Sequence, residues 1–275
     1  MTPSFAPPAL ANPNQLDATL QAQGYAVLDP PGFAQLSGCD LAQLNDFKPQ
    51  WNNLPPDTYL KDGGRYRRRR HSCFVVDGEE VSQVAHRSHW QPVEYNALHG
   101  GMQRWFEAMQ PAMVGQAVWR QLLVWLGRVA SAHKADQQMS APRMLAQLMA
   151  PQPTSRKYGS SQPWFVEAHQ FRIDTTDGIG RPTPEGAHRD GVDLVAVFMV
   201  DRHGVKGGET RVFDAAGPNG QRFTLTQSWS LLLLDDARVI HESTPIQPTG
   251  GVGEEGHRDT LVVTLRHGGF QGDGA

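Results

Sequence analysis

The chain has 275 residues, a formal charge of −3 and only 19% charged residues, so no global field draws it to nucleic acid or an anionic membrane surface, and a small neutral or zwitterionic partner fits better. Cys39 and Cys73 are too few for a disulfide framework, and no run of eighteen apolar residues offers a membrane span. Met1-Thr-Pro-Ser-Phe lacks the positive start and apolar core of a signal peptide, which makes a reduced, cytoplasmic protein of one large domain the expectation.

Residues 1–14, with four prolines among small and polar residues, are expected to be disordered, and the domain to run over 15–266. Gln15 to Gln23 predicts a short helix ending at Gly24, followed by a strand Tyr25 to Leu28 that Asp29-Pro-Pro-Gly stops. Phe33 to Phe47 reads as a second helix. The basic run Arg67, Arg68, Arg69, Arg70 alternates into the apolar strand that ends at Val76. Three readings stand for it: a solvated strand face, inward arginines that meet a substrate carboxylate bidentately, and a nucleic-acid contact, which the acidic balance disfavours. His86 and His89 have no third ligand in pattern and read as surface histidines. From Gln91 to Lys134 the pattern turns helical, with Leu122, Leu126, Val129 and Ala130 forming a buried stripe that would brace a sheet.

After Pro151 the chain changes to short apolar or alternating runs separated by glycine, proline and aspartate. The predicted strands are Trp164 to Ile173, Val192 to Val200, Thr210 to Phe213, Arg222 to Thr226, Trp229 to Leu234, Ala237 to His241 and Asp259 to Leu265. Turn-like connections without amphipathic helices argue for an antiparallel sandwich or jelly roll over a parallel sheet. Val192 to Val200 is nearly all apolar, so both its faces should be covered. Residues 267–275 are expected to be a flexible tail.

One stretch in this half carries chemistry. In Glu185-Gly-Ala-His188-Arg-Asp190-Gly, His188 and Asp190 are two apart and share a face of an extended chain. Two histidines and one carboxylate make the set that leaves positions open on non-haem iron, and His241, at the end of a later strand, is the candidate second histidine. Zinc accepts the same donors, although a zinc hydrolase has no use for Arg258. Arg258 and Thr260 share a face at the start of the last strand and could hold a carboxylate. His169 and Arg172 lie on opposite faces of one strand, so at most one should reach a cleft. Gly251-Val-Gly-Glu-Glu-Gly256 satisfies a dinucleotide fingerprint, but no helix follows and its glutamates would repel a pyrophosphate. His-Arg-Asp occurs at 188–190 and 257–259 without the other parts of a kinase.

His188-x-Asp190, His241 and Arg258-x-Thr260 together resemble the Fe(II)/2-oxoglutarate-dependent dioxygenases. Gly207-Gly208-Glu209-Thr210 is similar to the glycine pair that opens a core strand in many of them, and Gln23-Gly24-Tyr25-x-Val27-Leu28 to their opening strand. Glu185-Gly-x-His-x-Asp-Gly, Arg67 to Arg70 and Asp236-x-Arg-x-x-His241 look most like the bacterial branch that contains hydroxylases of free aliphatic amino acids. The resemblance implies an α+β fold: a double-stranded β-helix (jelly roll) formed mostly by 151–266, with the N-terminal helices packed on one sheet. It also implies Fe(II) on His188, Asp190 and His241, 2-oxoglutarate on Arg258 and Thr260, O2 as oxidant, and hydroxylation of a small molecule, a free L-amino acid in that branch. The candidate substrate residues are Arg67 to Arg70, His169 and Arg172. The same chemistry on a protein or nucleic-acid residue, and a jelly roll that binds without reacting, are the alternatives.

Overall fold

The computed structural model describes residues 6–138, 162–250 and 255–273. The N-terminal half supplies helices whose ends follow local chemistry. Helix α1 (Leu16–Gln23) stops where Gly24 takes a left-handed conformation. The expected helix Phe33 to Phe47 is two pieces, α2 (Pro30–Ser37) and α3 (Leu41–Asn45), because Gly38 is also left-handed and Asp40 starts a new helix by accepting from the Ala42 N–H. After a short α4 (Pro111–Val114) comes α5 (Ala117–Gln138).

The helical expectation for Gln91 to Lys134 holds only from Pro111, in α4 and α5. Residues 91–110 form a loop, interrupted by Pro92 and Gly100-Gly101 and closed by backbone hydrogen bonds between His89 and Arg104 (2.9 and 3.0 Å).

Strands build two main layers. β1 (Tyr25–Leu28), β2 (Arg67–Asp77), β3 (Glu80–Gln83), β4 (Trp164–Asp174), β5 (Leu194–His203), β9 (Leu231–Asp235) and β12 (His257–His267) make a seven-stranded sheet in the order β1-β9-β5-β12-β4-β2-β3. β7 (Thr210–Asp214), β8 (Gly220–Phe223) and β10 (Val239–Ser243) make the facing sheet, while β6 (Val205–Gly207) pairs with β11 (Ile246–Pro248). All these pairings are antiparallel. Two such sheets face to face form a jelly roll.

The period-two alternation divides the core. Leu194, Ala196, Phe198 and Val200 of β5 join Leu122, Leu126 and Trp119 of α5 under the helices, whereas Val195 and Met199 point between the sheets with Val212, Phe223 and Val239. Both faces of β5 are therefore covered. Each fully buried aliphatic side chain contributes roughly 1.5–3 kcal/mol, so the helical layer anchors the outer face of the large sheet, and on the inner face the pocket is lined mainly from β2, β4 and β12.

Two terminal expectations change. Residues 6–14 pack onto the fold: the Ala11 N–H donates to Val27 O (2.7 Å), the Thr224 N–H donates to Ala6 O (2.9 Å), and Pro13–Gln15 form a 3-10 turn. The stretch from 267 is likewise no tail, since His267 ends β12 and Phe270 is buried edge-on against Phe165. Residues 1–5, 151–161 and 274–275, and the first four residues of the Gly251–Gly256 loop, lie outside the described residues. Among the described residues no helix is long and apolar enough to cross a membrane.

Candidate functional site

One pocket opens between the two sheets, and its floor is the inner face of β2, β4 and β12. Register sets out that floor as a lattice. Arg67 of β2 lies opposite Ile173 of β4, which lies opposite Arg258 of β12; the next inward row is Arg69, Phe171 and Thr260; the third is His71, His169 and Val262. Neighbouring strands are about 4.8 Å apart, so the Arg67–Arg69 column and Arg258 stand on strands roughly 10 Å apart, with Ile173 and Phe171 between them.

His188 and His241 meet above this floor. Their backbones exchange two hydrogen bonds, His188 N–H to His241 O (3.0 Å) and His241 N–H to His188 O (2.9 Å), which closes the long sequence gap between them. The nearest nitrogen–oxygen distances are 3.8 Å from His188 Nε2 to Asp190 and 3.7 Å from His241 Nε2 to Asp190. These exceed hydrogen-bonding range but fit within two metal bonds of about 2.1 Å each. His188 Nδ1–H donates to Gly186 O (2.9 Å), which turns Nε2 toward Asp190; burial would lower His188, but Asp190 and Glu185 raise it above its ordinary value, so a bound metal ion would take the place of a proton at Nε2. Burial and the facing His188 push His241 down to about 3, so its ring is neutral and available as a donor to metal. These three residues could hold one ion with three neighbouring positions left open.

The turn that carries them rests on Asp236, which the sequence offered only as part of a motif, on Gly191 beside the ligands, and on Gln271 and Gln91, to which the sequence reading gave no role. Asp236, 1% exposed, accepts the N–H groups of Asp190 (2.9 Å), Gly191 (2.6 Å) and Val192 (3.1 Å). Gly191 is left-handed, and a Cβ there would meet Tyr95 at 2.5 Å and Gln271 at 2.6 Å. Gln271, in the expected tail, donates to Asp190 O and Gly191 O (2.8 Å each). Gln91 donates to the Asp190 carboxylate (3.1 Å) while its own oxygen accepts from Arg104 (2.9 Å) and Asn96 (3.0 Å). The loop expected as helix thus ties an arginine to the acidic ligand through one amide.

Arg258 is 4% exposed, and its Nε has no hydrogen-bond partner. Burial, with the nearby Arg202, lowers it to about 10, so it stays cationic at neutral pH, and its Nε is left without a partner. Its sequence neighbour Asp259 is engaged on the other face by Arg172 (2.8 and 2.6 Å). Thr260 lines the pocket beside Arg258, and Thr264 lines it further along β12. Gly208 gives the arginine room, because a Cβ on its left-handed backbone would come within 3.4 Å of Arg258 Cδ and 2.9 Å of Ile246.

Alternation sorts the remaining candidates. Arg67, Arg69 and His169 line the pocket. Arg68, Arg70 and Arg172 do not: they point the other way, where Arg68 pairs with Asp174 (3.3 Å), Arg70 with Glu107 (2.7 Å) and Arg172 with Asp259. His89 is no surface residue, unlike the exposed His86; it is 8% exposed and its Nδ1–H donates to Glu167 (2.8 Å), which also accepts from His71 (2.9 Å).

His71, His89, Glu167 and His169 are a second buried group with ligand atoms close together, but its hydrogen bonds favour a polar network over a metal. Arg69 lies 2.7 Å from His169 Nδ1; a guanidinium can only donate, so the ring proton sits on Nε2 and that nitrogen offers no lone pair. Burial lowers all three histidines, His89 to about 3. Burial would raise Glu167, yet His89 and His71 hold it below the usual carboxylate range.

Arg104 and His99, neither foreseen, complete the end of the pocket around Arg67 and Arg69. Arg67 Nη2, Arg69 Nε and Arg104 Nε are buried without acceptors. The Arg69 guanidinium is sandwiched between Phe106 (3.8 Å) and Phe171 (4.4 Å), which fixes its plane.

Comparison with known proteins agrees with this geometry. The model of the 2OG-Fe dioxygenase family matches residues 48–264. A solved structure of a bsmA homolog from Methylobium petroleophilum PM1 is 50% identical, covering 96% of this chain and 97% of that one with a TM-score of 0.80. IDO from Bacillus thuringiensis, at 14% identity, covers 97% and 100% with a TM-score of 0.68, and the Fe(II)/(alpha)ketoglutarate-dependent dioxygenase TqaL, at 20%, covers 93% and 87% with 0.63; these two share the fold. No curated protein matches the chain.

Proposed function

The chain belongs to the 2OG-Fe dioxygenase family, and from that premise we propose that it hydroxylates a free aliphatic L-amino acid in the cytoplasm, with His188, Asp190 and His241 holding Fe(II). Members of the family use Fe(II), 2-oxoglutarate and O2, and the protein is an enzyme of that class. When bound, the iron supplies oxygen activation coupled to decarboxylation of 2-oxoglutarate to succinate and carbon dioxide, one oxygen atom going to succinate and the other to the substrate. The chain's own residues bind and orient. Arg258, with Thr260 beside it, receives the far carboxylate of 2-oxoglutarate through a charge-assisted pair. His188 and His241 would present their Nε2 atoms to the metal, and Asp236, Gln91 and Gln271 hold the Asp190 turn in place.

The observation that carries the substrate reading is the second cationic column. Arg258 is taken by the co-substrate, and Arg67 and Arg69 stand two strands away with Arg104, so the pocket keeps a separate place for a second carboxylate. This column is enclosed between the sheets and the 90–104 loop, which suits a small molecule better than a polymer.

Succinate formation from 2-oxoglutarate, measured with Fe(II) across free amino acids, peptides and nucleosides, tests the reading. L-Isoleucine, L-leucine or L-methionine should stimulate turnover, and Arg69→Ala should remove that stimulation while sparing the uncoupled background. Stimulation by peptides, nucleosides or carboxylate-free molecules alone would overturn the substrate class.

A further inference from the structure

The end of the pocket around Arg69 contains carboxylates as well as guanidiniums, and their pairing is uneven. Asp57 is used by Arg67 (2.7 Å) and by the Tyr59 N–H (2.9 Å). Glu167 is used by His71 and His89. Glu185 remains: its side chain is 11% exposed, its Oε2 is buried with no hydrogen-bond partner, and its Oε1 lies 3.8 Å from His188 Nε2, too far to accept. It also falls outside the group formed by His188, Asp190 and His241. On the cationic side, Arg69 Nε and Arg104 Nε lack acceptors.

We propose that Glu185 receives the α-ammonium group of the amino acid, while Arg69 and Arg104 receive its carboxylate. The proposal rests on the substrate reading above and deepens it. A carboxylate oxygen buried without a donor is costly, so a cation brought by the ligand is what this position lacks. Charge balance points the same way. Around this end stand three guanidiniums, Arg67, Arg69 and Arg104, against three carboxylates, Asp57, Glu167 and Glu185. An incoming molecule of zero net charge with separated poles keeps that balance and satisfies both sets of unpaired atoms. A simple carboxylic acid would leave Glu185 unpaired, and a simple amine would leave Arg69 and Arg104 unpaired. Glu185 is three residues from His188, so its grip would set the α-carbon beside the metal ligands and make the ammonium a determinant of which substrates are held.

The test is calorimetric titration of the protein loaded with Fe(II) and 2-oxoglutarate under anaerobic conditions, where turnover stops. The probes are L-leucine, its des-amino counterpart 4-methylpentanoate, and leucinamide, with L-isoleucine and 3-methylpentanoate as a second pair. Wild type should bind the amino acid at least about tenfold more tightly than either truncated probe, since a hydrogen-bonded charged contact is worth roughly ten- to a hundredfold. Glu185→Gln should weaken the amino acid by that factor, leave the des-amino acid unchanged and retain the iron content of wild type. Equal affinity of wild type for L-leucine and 4-methylpentanoate overturns the proposal without any variant. So does a Glu185→Gln protein that binds L-leucine as wild type does, weakens both probes alike or loses iron. These outcomes leave the amino-acid reading standing if wild type still binds L-leucine or L-isoleucine. If neither amino acid binds, that reading has failed and the role of Glu185 falls with it.

Discussion

Replacing Asp236 by alanine removes one acceptor from three consecutive N–H groups, those of Asp190, Gly191 and Val192. Hydrogen bonds to a charged group contribute about 1.5–3 kcal/mol each, so three sum to roughly 4–5 kcal/mol even at the low end. Removing a buried carboxylate beside Asp190 returns part of this, on the order of 2 kcal/mol. A net loss of about 2–3 kcal/mol is left, concentrated on the turn that presents Asp190, and it corresponds to roughly 30- to 150-fold in Fe(II) affinity. Competition with a calibrated chelator would read the affinity, and amide hydrogen exchange would show whether Asp190 to Val192 lose protection while β5 and β9 keep theirs. An alanine variant that binds iron within about threefold of wild type, with those amides still protected, would show that the turn is held by Gln271 and Gly191 alone and that the Asp236 reasoning is wrong.

Single alanine replacements of His188, Asp190 and His241 should abolish turnover and iron binding with little change in melting temperature, because these side chains line a pocket and contribute little packing; near-normal activity in any of them removes that residue from the ligand set. Arg258→Ala should raise the 2-oxoglutarate requirement about ten- to a hundredfold and leave the amino acid requirement less affected, whereas Arg172→Ala, on the opposite face, should leave the 2-oxoglutarate requirement near wild type; equal effects of the two variants would contradict the assignment. Gln91→Leu should cost about ten- to a hundredfold in iron affinity or activity, as loss of a ligand's hydrogen-bond partner typically does, and titration of iron into the variant checks it. Burial pushes His89 down to about 3, against about 6.5 when unfolded. The unfolded chain therefore binds more protons between those values, and stability is lost as pH falls below about 6.5. His89 alone accounts for about 2 kcal/mol at pH 5; chemical denaturation of metal-free protein between pH 7 and 5 should show the decline, and His89→Gln should flatten it.

What was legible in the sequence depended on spacing along one strand. The pairs His188 with Asp190 and Arg258 with Thr260, and the exclusion of His169 and Arg172 from one shared face, all follow from alternation, which any extended chain obeys. Alternation also says that Arg67 and Arg69 face one way and Arg68 and Arg70 the other. Which pair faces inward is decided by register with Ile173 and Phe171, a hundred residues away in sequence, and no local pattern reports that. Missed residues share this non-local origin. Arg104, His99, Asn96 and Gln91 sit in a stretch whose composition suggested a helix, although Pro92 and Gly100-Gly101 were a usable signal against one. His89 looked solvated because its partner Glu167 belongs to a distant strand. Asp236 stood only as part of a motif, and Gln271 as part of an expected tail, because the N–H and carbonyl groups they hold belong to the 190–192 turn.

The most direct test of the account is turnover under 18O2 with Fe(II), 2-oxoglutarate and whichever of L-isoleucine, L-leucine and L-methionine stimulates decarboxylation. The account predicts one labelled oxygen atom in succinate and one in a hydroxylated amino acid, formed in near-equal amounts, with both signals absent in the His188→Ala protein. Labelled succinate without a labelled amino acid, or a labelled product that persists in His188→Ala, would contradict it.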